Sequence, residues 1–156
     1  MATIVARLFA FIEPDRAYFG AKDYQQTLVA KHVAEQLKGP EIVVCPTSRD
    51  SDGLARSSRN LLLPAERRED ALSLNRALLA ARERWRSGER RPGELRAAML
   101  EVFGRHHIEL EYAEVRDPEA WNRGPSEDSL TRARALVAGR VGQVRLLDNM
   151  ALHLDG

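Results

Sequence analysis

The run Glu41-Ile42-Val43-Val44-Cys45, entered through Gly39-Pro40, constrains the fold more than any other stretch of this chain. Its apolar core has strand length and no polar interruption, the pattern of a strand buried on both faces of a parallel sheet. A parallel strand needs a parallel neighbour and a crossover, and both lie just upstream. Arg16-Ala17-Tyr18-Phe19 is short and aromatic, bounded by Pro14-Asp15 and Gly20, and reads as a strand entering a turn. From Asp23 to Leu37, Tyr24, Leu28, Val33 and Leu37 keep a helical stripe that Gly39-Pro40 closes. Strand, helix and strand form one right-handed βαβ unit. A helix from Thr3 to Ile12 precedes it, with Ile4, Val5, Leu8, Phe9 and Ile12 on one stripe that ends at Pro14.

After Asn60 the pattern changes. Pro64 fits the first turn of a helix whose stripe, Ala71, Leu74, Leu78, Ala81 and Trp85, stops at Ser87-Gly88. Leu95, Ala98, Met99, Val102 and Phe103 mark another helix after Pro92-Gly93. Ile108-Glu109-Leu110-Glu111-Tyr112 alternates strictly, as a half-buried strand of an antiparallel sheet does. Ala135 to Ala138 and Val144 to Leu147 predict two more strands, with turn chemistry between Gly139 and Gly142. The expected organisation is α/β: a parallel-sheet domain over 1–60, a linker near Arg59 to Pro64, and a small α+β domain with an antiparallel sheet over 61–156.

Composition narrows the function classes. The 156 residues are 44% hydrophobic and 30% charged, ordinary for a water-soluble globular protein. No apolar run approaches the roughly 20 residues that span a bilayer, and the start lacks signal-peptide features, so a cytoplasmic protein with no membrane partner is expected. The formal net charge of +1 gives no global field toward nucleic acid. The arginines from Arg82 to Arg96 interleave with Glu83, Glu89 and Glu94, which reads as a solvated helix face. Cys45, the single cysteine, excludes an intrachain disulfide and reads as a buried small hydrophobe.

Two polar segments follow the two parallel strands, where open α/β sheets bind ligands. Lys22 and Gln26 stand four apart at a helix opening, which also offers free N–H groups and a positive dipole. An anion there would meet a charge and an amide; two exposed helix residues with no ligand fit the same spacing. Arg56-Ser57-Ser58-Arg59 follows Asp52-Gly53 and reads as a flexible loop with two hydroxyls between two guanidiniums. Such a loop can close on a polyphosphate and stabilise developing charge, and it can equally be ordinary polar surface. His106-His107 reads as a solvated turn rather than a metal site, and His32 as structural. No metal-ligating residue is assigned.

The stretch from Glu13 through Gln26, with Pro46-Thr47 and Asp52-Gly53-Leu54-Ala55-Arg56-Ser57-Ser58-Arg59-Asn60, resembles the pantothenate synthetase (pantoate–β-alanine ligase) family. Val144 to Asn149 resembles that family's C-terminal strand, so the likeness covers the chain and corresponds to the family's C-terminal half. The resemblance implies that 1–60 is the remnant of a Rossmann-like nucleotidyltransferase parallel sheet. It implies a ligase that uses ATP and Mg²⁺: pantoate attacks the α-phosphorus to give pantoyl adenylate and pyrophosphate, and the β-alanine amine then displaces AMP. Carried over by position, Lys22, Ser57, Ser58 and Arg59 act in catalysis on the phosphates. Phe19, Gly20, Asp23 and Arg56 join them in binding the nucleotide, and Gln26 hydrogen-bonds pantoate.

Departures accompany the likeness, the largest being that the family is nearly twice this length and carries its His-x-Gly-His signature in an N-terminal half. Ala21 stands where the family has Glu, Arg56 where it has Met, and Ser48 where it has an apolar residue near the adenine. The family's His-x-Gly-His signature does not occur among His32, His106, His107 and His153. A chain with two parallel strands and that signature missing is expected to need a complementary N-terminal half or to form a homo-oligomer. The alternative function is a nucleotide-binding or assembly module derived from the ligase, without chemistry of its own.

Overall fold

The computed structural model describes residues 1–121 and 127–153. Contacts divide the chain into two compact units, Met1–Ser48 and Arg49–Gly156.

The first unit runs α1 (Ala2–Ile12), β1 (Arg16–Gly20), α2 (Tyr24–Leu37), β2 (Glu41–Cys45). The strands pair in parallel with Arg16 opposite Glu41 and Gly20 opposite Cys45, the expected βαβ crossover. Both helices end on a left-handed residue, Glu13 after α1 and Lys38 after α2. Lys38 therefore takes the C-cap conformation expected of a glycine, with Gly39 donating its N–H to the Ala34 carbonyl. Val5, Phe9, Val33 and Ala34 form the core, against which Ala17, Phe19, Val29 and Ile42 pack.

Two expectations about burial here need correction. Helix α2 buries Thr27, Ala30, Val33 and Ala34, whereas Leu37 is 48% exposed; the stripe follows small residues that let the helix approach its neighbours. Strand β2 is half-buried rather than covered on both faces, and Cys45 with it, because the sheet packs one face, with Ala17, Phe19 and Ile42, on α1 and α2, while Tyr18 on the other is exposed. In α1, Ile4, Leu8 and Ile12 lie outside the buried set of Val5 and Phe9.

The second unit places α3 (Arg68–Arg86) and α4 (Pro92–Phe103) with an antiparallel sheet of β3 (Glu109–Arg116), β4 (Arg134–Val141) and β5 (Val144–Ala151) in the order β3-β4-β5. Pro92 is the first residue of α4, where a missing N–H costs nothing. Ala71, Leu74, Leu78, Ala81 and Trp85 are all buried on α3, as their spacing predicts, and meet Leu95, Met99 and Phe103 of α4 in one core. Pro64 precedes a short 3₁₀ turn, Ala65–Arg67, and α3 itself starts at Arg68. The arginine-rich stretch does not lie on one helix face. It wraps the α3–α4 turn, where Arg90 stacks 4.1 Å over the Trp85 ring and donates to the Trp85 carbonyl. Glu89 accepts from Arg91 and from the backbone N–H groups of Arg91 and Arg90, which hold its carboxyl down at about 2.

The sheet departs from its sequence pattern at two points. Leu110 pairs with Gly139 and Tyr112 with Ala138, so a bulge at Glu111 shifts the register. Beyond it the buried residues are Ala113 and Val115, and the alternation that began with Ile108 and Leu110 changes phase. Gly139 lies within β4 and the tight turn is Gly142-Gln143 alone, with Gly142 at φ +58°. A Cβ at Gly139 would stand 2.9 Å from the Glu109 carbonyl oxygen and 2.9 Å from Ile108 Cδ1. The glycine serves close strand approach, not chain reversal. Gly139→Ala is therefore expected to cost about 1–3 kcal/mol by overpacking, read as a lower urea midpoint. A midpoint equal to wild type would refute the close-approach role.

Candidate functional site

In the first unit the polar segment begins where β1 ends. Gly20 is exposed, with open space where a Cβ would stand. Ala21–Asp23 form a 3₁₀ turn, so the α-helix opens at Tyr24, later than the sequence indicates. Lys22 thus sits in the turn before α2 and Gln26 in its first turn, and straight α-helical i, i+4 geometry does not relate them. Asp23 precedes the helix without a side-chain capping bond. Phe19 faces the core with Ala17, while Tyr18 on the other face is 65% exposed. The Phe19 side chain is committed to packing, which leaves its backbone for any ligand.

In the second unit the segment from Arg49 to Asn60 is a tied loop, in contrast to the flexible one expected. Arg49 and Ala55 form an antiparallel bridge, and the Asp50 N–H donates to the Leu54 carbonyl. Leu54 and Ala55 are buried, Leu54 within the main core. Gly53 adopts φ +97°, and a Cβ there would run into Asn75 Nδ2. These contacts attach residues 49–60 to the second unit, although the sequence pattern groups them with the first. The expected linker near Arg59 to Pro64 contains a 3₁₀ helix, Ser58–Leu62.

Ion pairs brace the loop from two sides. Arg49 grips the buried Asp148 of β5 with both ends of its guanidinium, at 2.6 and 3.1 Å, and also donates to the Gly53 carbonyl. Arg68, the first residue of α3, donates Nε to Asp52 at 2.6 Å and a terminal nitrogen to Asp50 at 2.9 Å. The other Asp50 oxygen accepts from Arg56 Nε at 3.0 Å. Arg68 first and Arg56 second hold the Asp50 carboxyl below the usual carboxylate range. Asp52 is lowered by Arg68 and then by the Leu54 N–H. Of the expected phosphate contacts, Arg56 is thus engaged by Asp50, and Ser57 Oγ accepts from the Arg59 N–H as the cap of the 3₁₀ helix. Ser58 and Arg59 are exposed.

Sequence reasoning missed Arg49, Asp50, Arg68 and Asp148 as the support of this loop. One signal was available: a carboxylate inside the apolar strand Val144-Arg145-Leu146-Leu147-Asp148 calls for a cation, and a buried charge is rarely unpaired. His106-His107 is not a free solvated turn either. Asp70 of α3 accepts the His107 N–H at 3.0 Å and lies 3.8 Å from His106 Nδ1. His153 Nδ1 lies 3.0 Å from the Ala133 carbonyl oxygen, a structural contact.

The residues singled out at the two strand ends are cations, hydroxyls and an exposed glycine, donor groups of the kind that suit an anionic ligand. A parallel strand pair with a connecting helix, followed by the small antiparallel sheet, is the architecture of a nucleotidyltransferase-like fold. Comparison with known proteins narrows this class to one family. The profile of pantoate-beta-alanine ligase matches residues 1–151, and the chain belongs to that family. The pantothenate synthetase of Rubrobacter xylanophilus is 49% identical over 155 residues, covering 97% of this chain and 53% of the relative. The crystal structure of the pantothenate synthetase from Thermus thermophilus superimposes with a TM-score of 0.90 at 42% identity, covering 98% of this chain and 55% of that one. A pantoate-beta-alanine ligase from Francisella tularensis, solved in complex with beta-gamma ATP and beta-alanine, matches with a TM-score of 0.65 at 27% identity over 99% of this chain and 50% of that one. The chain spans about half the length of these relatives.

Two outcomes follow for the loop's supports. Asp148→Ala strands the Arg49 guanidinium and is expected to destabilise the second unit by about 3 kcal/mol in urea unfolding; a loss near zero would show that the pair carries no stability. The Asp50 and Asp52 carboxyls lie lower in the folded protein than in the unfolded chain. They therefore stabilise the fold above the ordinary carboxylate value of about 4, and that contribution is lost as pH falls through their depressed folded values. Differential scanning calorimetry should show a melting midpoint that drops on acidification below about pH 4. The double variant D50N/D52N should flatten that drop, and an unchanged acid slope would assign it to other groups.

Proposed function

We propose that this chain supplies the phosphate-binding part of an ATP-dependent pantoate–β-alanine ligase. The observation that carries the reading is the family match over residues 1–151; the roles of Lys22, Gln26 and Ser57-Ser58-Arg59 are carried over from the sequence resemblance. In this reading Lys22 contacts the phosphates, with Gly20, Asp23 and the Phe19 backbone beside the nucleotide. Ser57, Ser58 and Arg59 hold the polyphosphate as charge shifts onto pyrophosphate, and Arg56 adds a further cation. Gln26 hydrogen-bonds the pantoate. The reaction has two displacements. A pantoate carboxylate oxygen bonds to the α-phosphorus as pyrophosphate leaves; the β-alanine nitrogen then bonds to the acyl carbon as AMP leaves and the ammonium proton is lost to solvent.

Neither displacement needs an enzyme nucleophile, so positioning and fixed charge supply the catalysis. Mg²⁺ would arrive with ATP and neutralise phosphate charge. Such ions are held mostly by phosphate oxygens and water, with one or two carboxylates. Among the described residues no group of three or more potential ligands gathers, and Asp50 and Asp52 are already paired with arginine.

The expected setting is the cytoplasm, with a complementary N-terminal half or a second copy completing the enzyme. No helix among the described residues is long and apolar enough to cross a membrane. A second reading, a nucleotide-binding or assembly module without chemistry of its own, is favoured by the engagement of Arg56 with Asp50 and of Ser57 Oγ with the Arg59 N–H within the loop itself. The test is pantoate-dependent exchange of labelled pyrophosphate into ATP, with the N-terminal half of a relative added. Exchange supports the ligase; its absence, with ATP binding retained, supports the module. Lys22→Ala should weaken ATP binding about tenfold or more in calorimetric titration, the loss of a charge-assisted contact. Unchanged affinity would remove Lys22 from the phosphate site.

A further inference from the structure

The loop that carries Ser57, Ser58 and Arg59 is held through a residue that lies outside it in sequence and that the proposed chemistry does not use. Arg68 donates to Asp52 at 2.6 Å and to Asp50 at 2.9 Å, so one planar guanidinium fixes two carboxylates on either side of Ser51. Asp50 then uses its second oxygen to hold Arg56, next to Ser57, at 3.0 Å. The chain of contacts is continuous: α3, Arg68, Asp50, Arg56, and the start of the serine pair. Helix α3 is the best-anchored element available for this purpose, with Ala71, Leu74, Leu78 and Ala81 in the core.

A guanidinium suits this task because its donors point in fixed directions and can serve two carboxylates at once, which an ammonium does with less directional control. The outer pair, Arg56 with Asp50, is more exposed on its arginine side (65%) than the inner pairs at Arg68 (38%). Arg68 is the fixed end of the chain and Arg56 the end nearest the phosphate-binding residues.

We propose that Arg68 is a positioning residue for nucleotide binding: by clamping Asp50 and Asp52 to α3 it sets the place of Arg56 and of the Ser57-Ser58-Arg59 segment. This rests on the ligase reading above for the identity of the ligand. The clamp itself does not.

Trypsin cuts after arginine, so the bonds after Arg56 and Arg59 report directly on how firmly the loop is held. In the full chain, native-state cleavage at these two bonds, mapped by mass spectrometry, should be about fivefold faster in Arg68→Gln than in wild type. Arg68→Lys should recover part of the protection, and Arg76→Gln, which breaks a pair with Glu69 elsewhere on α3, should match wild type. Equal cleavage of wild type and Arg68→Gln overturns the clamp. Should Arg68→Gln fail to fold by circular dichroism, Asp50→Asn, a neutral isostere at the same joint, is read in its place with the same two outcomes. Calorimetric titration with ATP supplies the functional arm. A Kd raised about fivefold in Arg68→Gln and partly restored in Arg68→Lys supports positioning, whereas faster cleavage with an unchanged Kd overturns it. Absence of ATP binding by wild type counts against the ligase reading, and the clamp is then decided by the cleavage rates alone.

Discussion

The bidentate ion pair between Arg49 and Asp148 is the contact on which the second unit's polar loop depends. Asp148 is almost fully buried in β5, and Arg49 reaches it while also bonding the Gly53 carbonyl. A carboxylate at that depth is tolerated only with a cation and further donors, and the Asn149 N–H supplies one of these. The pair joins residues 99 positions apart in the chain. It converts what would be a free polar excursion into a segment with a defined start, from which Asp50, Asp52 and Gly53 take their places. The anchoring of this loop is largely an electrostatic property, because only Leu54 and Ala55 within it are buried apolar residues.

Much of the architecture is legible in the sequence because the signals are local. The stripe Ala71, Leu74, Leu78, Ala81 and Trp85 fixes α3, and the Ile42–Cys45 run with its upstream helix fixes a parallel pair. The errors arise where a non-local contact decides. Gly139 looks like a turn residue, but its role is set by the Glu109 carbonyl on a strand 30 positions earlier. Tyr112 continues an alternation that the Glu111 bulge breaks. Lys38 takes a left-handed conformation although a glycine follows it. On α2 the buried face follows side-chain size, Ala30 and Ala34 above all, rather than hydrophobicity.

The candidate site shows the same division. Lys22, Gln26 and the Ser57-Ser58-Arg59 segment are recognisable from residue type and from their positions after two strands, supplemented by a family likeness that the profile match bears out. The supports of the serine segment are legible only in part: Asp148 inside an apolar strand signals a missing cation, but its partner Arg49 and the part played by Arg68 are set by pairing across the fold. Arg56 illustrates the limit: as a sequence feature it is one more cation near a phosphate, and in the structure it is also the partner of Asp50.

Gly53 carries a consequence for how variation in this loop is to be interpreted. Its positive φ disfavours any other residue, and independently Asn75 occupies the space a side chain would need. A side chain at position 53 would be strained by the backbone conformation and would also require the Asn75 amide to shift, so the cost of substitution there falls on the fold. Ser58 and Arg59, five and six residues on, face solvent and carry no such packing constraint. Genetic tolerance within a single loop thus separates into two kinds: a defective allele at 53 reports a strained fold, whereas a change at 58 or 59, where the side chains are exposed, leaves the packing intact.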